Sequence, residues 1–388
     1  MRLLAPLLAT WLTSTAQAVV VTTVDELVAN LHNDVAITFG ADIETTKRIE
    51  ISGITGLSIS GSGYKLATPQ GAYQNQIFYI HSGSEVVLSD LTISGGWAAG
   101  KERPPNNDDD ETGGGLMIKE SYVTLIACTV EYNKATDGGG IYAVNSTLSM
   151  TSCEVFSNSA SSYGGYSNGG GLFSYGSKLT MTDCKVLNNT ALTSGGGMAV
   201  YDSLNMTSSE VSGNTALCAP YGGGGGGFYF VPSSSIPISI VSTVIANNKA
   251  TVADGSAYGG AIFNKVDYSK STAFSISVAG SIFYSNSADS GGSDIYNLAF
   301  NAPDDSFFAV YSSCNAQNEF NAGTGTLDCY TCSDTSHTTC GECPTSHPAD
   351  LLNGACTPCA SGTTSCCGAL QCQTGNPTCS ASQQALCA

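Results

Sequence analysis

The sequence predicts an all-β chain built as a right-handed parallel β-helix, a solenoid with a short N-terminal capping helix and a C-terminal disulfide-rich module. Three observations predict it. A phrase built on Asn and Ala returns six times, apolar and polar residues alternate in register with it, and the composition suits tight turns and strands. The 388 residues include 45 Gly and only 11% charged side chains. Glycine gives turns their backbone freedom, and a surface poor in charge is unlike that of a helical cytosolic enzyme.

The phrase sets the period. Its asparagines are Asn133, Asn158, Asn189, Asn214, Asn248 and Asn286, spaced by 25, 31, 25, 34 and 38 residues, each with an Ala two positions later. An earlier copy has Gly96 in the Asn place and Ala98 after it. Ten positions before each Asn stand Val123, Leu148, Leu179, Leu204, Ile238 and Ile276, and eight before it Leu125, Met150, Met181, Met206, Ile240 and Val278. Thr124, Ser149, Thr180, Asn205, Ser239 and Ser277 lie between them, so the pattern has the period of a half-buried strand. Strands that return only after 25 residues or more do not form hairpins. They stack in parallel, about three short strands per turn and about 4.8 Å between turns.

Each part of the phrase then has an expected structural role. Asn tolerates the left-handed conformation of a sharp corner and bonds the equivalent amide one turn away. The small Ala leaves room for that ladder. Glycines with positive φ open the next strand, which begins at Leu116, Ile141, Leu172, Met198, Phe228 and Ile262. Extra residues fall between the Ala and the glycines, at 100–112, 161–168 and 251–258, and so project from one edge of the coil. In solenoids such an edge is often the binding face.

The ends need covers. Thr23 and Glu26 stand in capping-box spacing, and Val24, Leu27, Val28 and Leu31 repeat at helical intervals, which predicts a short helix over the first turn. The strand-like stretch 49–66 starts the coil, expected to run to about residue 315. Residues 1–18 have a basic start, an apolar run and a closing Ala-Gln-Ala, the pattern of a secretory signal peptide. The expected organisation is therefore a signal peptide (1–18), a β-helix (19–315) and a cysteine-rich tail (316–388) in a secreted or extracellular protein, free or held at a cell surface. No later segment is apolar enough to be a transmembrane helix.

Phrases such as VFSNSA before GGGLF, VIANNKA before GGAIF and IFYSNSA before GGSDIY resemble the repeats of polymorphic outer membrane proteins, over roughly residues 86–300. The resemblance implies the pectin-lyase-like β-helix fold. Its implications for function divide, because bacterial members are surface adhesins and related coils include polysaccharide lyases and hydrolases. Those bacterial members end in a membrane barrel; a cysteine-rich tail stands here instead. The Gly-His-Gly, Asn-Thr-Asp and Arg-Ile-Lys motifs of the pectin hydrolases are missing from the chain.

Candidate chemistry is sparse. Glu154, Lys185 and Glu210 fill one column on successive turns, where two carboxylates about 10 Å apart would suit an inverting glycosidase or, more simply, a charge ladder. Asp108, Asp109, Asp110 and Glu111 form an acidic loop that reads first as a solvated surface loop; its hard oxygen ligands also suit calcium, though without EF-hand alternation, and no other cofactor is expected. Cys128, Cys153 and Cys184 share a column with Ser209, Thr243 and Ser281 and read as buried small side chains, a disulfide between adjacent turns being the rival. Sequons at Asn145, Asn188 and Asn205 are glycosylation candidates. An exported chain favours disulfides over zinc for Cys314, Cys329, Cys332, Cys340, Cys343, Cys356, Cys359, Cys366, Cys367, Cys372, Cys379 and Cys387, which leaves Cys218 unassigned.

A net charge of −18 excludes a nucleic-acid partner, since phosphate binding needs clustered Lys and Arg. The expectation is a secreted, non-catalytic β-helix presenting a rigid surface to a glycan or extracellular protein. A divergent polysaccharide lyase or glycoside hydrolase is the alternative, and it requires a carboxylate and a second acid or base to converge in a groove walled by the insertions.

Overall fold

The computed structural model describes residues 18–298 apart from 70–75, 99–110, 163–164, 220–221, 232–236, 253–254 and 266–274; beyond Tyr296 only the backbone of short strands is described. The expected signal peptide and the side chains of the cysteine-rich tail lie outside the described residues. Strands dominate, and the long sheets are parallel throughout.

One coil shows how the sequence makes the fold. After the glycines come Leu116–Lys119, Tyr122–Ile126, Thr129–Glu131 and Lys134–Ala135, and each strand pairs in parallel with its equivalent one coil on. The second and third segments share a twenty-stranded sheet; the first belongs to a ten-stranded sheet and the last to a seven-stranded one. A coil therefore has four short strands in three sheets rather than three strands. The columns read from the sequence are in register: Val123 pairs with Leu148, Leu148 with Leu179, and Leu179 with Leu204. These side chains and the Leu125–Met150–Met181–Met206 stack are buried in one continuous apolar core. Alternation along each strand is what separates them from the polar column facing out.

The asparagines form a buried ladder. Asn158 shows the pattern: its backbone N–H donates to Asn189 Oδ1 at 2.8 Å, and its Nδ2 donates to Asn189 Oδ1 at 3.0 Å and to Val130 O at 2.8 Å. Its own Oδ1 accepts from Asn133 N and Nδ2, both at 3.0 Å. Both donors and both lone-pair sites of each interior amide are thus satisfied, as a buried amide requires. Gly96 fits the register, since its N–H donates to Asn133 Oδ1 at 2.8 Å.

The corner geometry differs from the expectation in one respect. The left-handed residue is not the Asn but the one before it: Tyr132, Ser157, Asn188, Gly213, Asn247 and Ser285, with φ of 52–66°. A left-handed residue turns the chain so that the following side chain points inward, and Asn is needed at that inward position for its amide. The same device recurs at the corner before the cysteine column, where Ala127, Ser152, Asp183 and Ser208 are left-handed. There the inward residue accepts an N–H from the preceding coil, as Cys184 N donates to Ser209 Oγ at 3.0 Å, and donates to a carbonyl two residues back. A third ladder, of Ser84, Ser121, Ser146 and Ser177, works the same way and was not read from the sequence.

Glycine at the third position of the triplet has a steric cause. A Cβ on Gly171 would lie 2.8 Å from Gly197 O and 2.9 Å from the Asn189 amide carbon, so only glycine lets adjacent backbones and the ladder approach so closely. In the last of these coils that column holds Asp294, buried, whose Oδ1 accepts from Asn286 Nδ2 at 2.9 Å and ends the ladder.

The N-terminal cover is the helix α1 (Val24–Ala29), with Thr23 as N-cap and a capping box closed by Glu26. Leu27 and Leu31 are buried beneath it, whereas Val28 is exposed. No helix among the described residues is long and apolar enough to cross a membrane. Past Tyr296 the backbone continues in the same parallel sense through Thr326–Tyr330.

Candidate functional face

The residues singled out from the sequence do not assemble a catalytic set. Glu154, Lys185 and Glu210 pair in register on successive coils and face outward, with Thr129 below them and Val244 above. Glu210 accepts from Ser212 Oγ at 2.7 Å, and no ion pair joins the three. Of the calcium candidates only Glu111 is described; Asp108, Asp109 and Asp110 lie outside the described residues. Among the described residues no cluster of three His, Cys, Asp or Glu side chains is arranged to hold a metal ion.

Cys128, Cys153, Cys184 and Cys218 are buried free thiols. The inter-coil disulfide weighed for the first three is not formed, because their sulfurs take the ladder positions that hydroxyls take in later coils. Cys153 Sγ, for instance, donates to Thr151 O at 3.3 Å. The twelve tail cysteines, Cys314 to Cys387, fall where no side chain is described. All three sequon asparagines are exposed, Asn145 and Asn188 at left-handed corners and Asn205 within a strand of the twenty-stranded sheet.

The outer face of the ten-stranded sheet is different. Its strands put alternate residues outward, and registration makes one column of Glu50, Tyr79, Met117, Tyr142, Phe173, Ala199, Tyr229, Phe263 and Tyr296. Most are aromatic. Tyr142 and Phe173 stack with centroids 4.8 Å apart and planes at 1°, and Tyr229, Phe263 and Tyr296 continue at 5.6 and 5.8 Å. At the one small residue, Ala199, Tyr201 from the next outward position fills the gap, 5.1 Å from Phe173 and 6.3 Å from Tyr229. Burial, and then the neighbouring Tyr229, Asp137, Tyr142 and Tyr175, push the Tyr201 phenol well above the usual tyrosine range. Tyr258, carried by the insertion edge, stacks on Tyr296 at 4.2 Å, and Tyr175, 42% exposed, lies 5.7 Å from Tyr201. Rings within 4.5–7 Å in these orientations attract one another beyond their burial.

A polar cluster closes the low-numbered end of this face. Arg48 lies over the Tyr79 ring at 4.7 Å, and Tyr79 stacks on His81 at 4.3 Å. Glu50 sits between the two side chains, with Oε1 3.0 Å from His81 Nε2 and Oε2 3.7 Å from Arg48 Nη2. His81 Nδ1 meets Ser82 Oγ at 2.8 Å. Arg48 also donates to Gln76 Oε1 at 3.2 Å, and the buried Gln76 donates to Thr112 O, which ties the cluster to the next coil.

The aromatic column was open to reading from the sequence, since Tyr142, Phe173, Tyr229 and Phe263 are the middle letters of the strand phrases after the glycines. Alternation alone turns a middle letter outward. The polar cluster gave no such signal: Glu50 and His81 are 31 residues apart, ahead of the regular repeats. No curated relative matches the chain. Residues 39–236, just over half of the sequence, match the model of a right-handed β-helix region, and the chain belongs to that family.

Proposed function

We propose that this protein is a secreted binding β-helix, whose outer aromatic face and bordering insertion edge hold a glycan, without cleaving glycosidic bonds. The observation that carries the reading is the aromatic column, in which Phe173, Tyr229, Phe263 and Tyr296 are buried, while its members Tyr79 and Tyr142 and the bordering Tyr201 and Tyr258 are half-buried and Tyr175 is exposed, leaving their edges to the surface. Aromatic edges and phenolic hydroxyls give apolar contact and hydrogen bonding at low conformational cost, a combination that suits sugars. The repeated Asn, Cys, Ser and Gly residues are all accounted for by folding. Support also comes from the leader-like N-terminus and from the adhesin-type repeats that the phrases resemble. The role is adhesive or of the extracellular-matrix type, and calcium is its one candidate cofactor.

The test is a glycan array probed with and without calcium, comparing the wild-type chain with Tyr142→Ala and Tyr201→Ala. Retention should fall by about tenfold or more in each variant, the loss of roughly 1.4 kcal/mol of contact. Equal retention by all three chains, or capture of an extracellular protein in place of any glycan, would remove the reading. The alternative, a polysaccharide lyase or glycoside hydrolase, is favoured by the convergence of Arg48, Glu50 and His81. Depolymerisation of a polysaccharide that disappears in E50Q would carry it.

A further inference from the structure

The turn at Ser82 departs from the repeat. In the next three coils a single left-handed residue, Glu120, Asn145 or Gly176, precedes the inward serine; here two, Ser82 and Gly83, with φ of 59° and 74°, precede Ser84. The added residue is one that the ladder does not use, and its side chain is exposed. A non-glycine residue held in this region is strained, and such strain is retained where the surroundings fix it. Here they do: Gly53 N–H bonds His81 O at 3.2 Å from one coil, and Gly83 N–H bonds Glu120 O at 2.8 Å on the other.

The imidazole beside it is fixed as well. Tyr79 stacks on its face, and Glu50 Oε1 accepts from Nε2–H at 3.0 Å. That tautomer leaves Nδ1 bare to accept the Ser82 hydroxyl at 2.8 Å. A carboxylate that orients an imidazole, which in turn takes a proton from a hydroxyl, is the arrangement that makes serine a nucleophile.

We propose that Glu50, His81 and Ser82 form a nucleophilic relay that hydrolyses carboxylic esters. Ser82 Oγ bonds the carbonyl carbon as its proton passes to His81 Nδ1, and the carbonyl π pair moves onto oxygen. Collapse of that adduct expels the alcohol oxygen, which takes the proton from Nδ1 and leaves an acyl-serine. Water then adds with its proton going to Nδ1, and collapse returns the proton to Ser82 Oγ and releases the acid. Glu50 holds the imidazolium formed in each half.

The chemistry limits the substrate. The N–H groups of Gly83 and Ser84 are bonded to Glu120 O and Ser121 Oγ, so they do not form an oxyanion hole. With these two donors engaged, each such donor being worth about 10²–10³ in rate, esters with good leaving groups are the class that reacts. The natural substrate, an ester carried by a ligand on the adjoining aromatic face, rests on the binding reading.

The test uses the full chain, a fluorophosphonate probe and p-nitrophenyl acetate. The wild type should acquire one phosphonyl group at Ser82, located by peptide mass spectrometry, and hydrolyse the acetate above buffer. S82G suits the left-handed backbone and keeps the fold while removing the nucleophile; it should take no label and show no turnover. H81N should slow both by about 10²-fold or more. A wild-type chain that stays unlabelled, or that turns over the acetate no faster than S82G, overturns the proposal. Labelling that survives in Tyr142→Ala while glycan retention is lost shows the two sites failing separately.

Discussion

At the scale of single residues, neighbours in the sequence have opposite roles, and substitution should separate them. Asn189 and Asn188 are adjacent, one buried in the ladder and one exposed at a left-handed corner. Replacing Asn189 with Ala strips acceptors from Asn158 N and Nδ2 and a donor from Val155 O, all in a dry interior. Each orphaned group costs about 1–3 kcal/mol, so N189A should lower unfolding free energy by at least about 3 kcal/mol in urea titrations. N188G should leave it unchanged or slightly higher, because glycine meets a φ of 55° without strain. An N189A midpoint equal to wild type would mean that the ladder does not stabilise the coil.

At the scale of elements, a column rather than a residue is the functional unit, and legibility in the sequence followed the columns. Where coils are regular, as from Val123 to Ile276, pattern alone located strand, face and register, because one slipped residue would turn the whole apolar set outward. Corner conformation was assigned one residue too late, since a conspicuous Asn draws the eye from the variable residue before it that bends the chain. The Glu50–His81 contact was unreadable because it joins coils of irregular length. Buried thiols extend the element-scale argument to pH. Burial pushes the Cys218 thiol up to about 12, whereas the hydrogen bond shared by Cys128 and Cys153 raises the second to about 11 and lowers the first, so that pair's contributions oppose each other. The folded chain therefore keeps protons that an unfolded thiol, near 9.0, gives up. Stability should be level below pH 9 and fall as pH rises from there through about 12. Urea midpoints across that window should decline in the wild type and decline less in C218A; parallel curves would remove thiol burial as the cause.

For the whole molecule, each coil contacts only its neighbours, so stability is close to a sum of coil and interface contributions and an end can open without the middle. Asp294 tests this because it stands where earlier coils have glycine and the preceding one Ala261, and it terminates the asparagine ladder through Asn286. Asp294→Ala deletes that acceptor and leaves Asn286 Nδ2 with Ile245 O alone. The last coils should then fray while the central ones hold. Hydrogen exchange should accelerate by about tenfold or more over residues 276–296, equivalent to roughly 1.4 kcal/mol of local opening, and stay unchanged from Ile141 through Ser212. Asp294→Asn keeps an oxygen in the same place and should restore protection. Uniform acceleration along the chain would show that the solenoid unfolds as one cooperative block. The aromatic face would in that case come apart together with the end of the coil instead of keeping the part built on Tyr142 and Phe173.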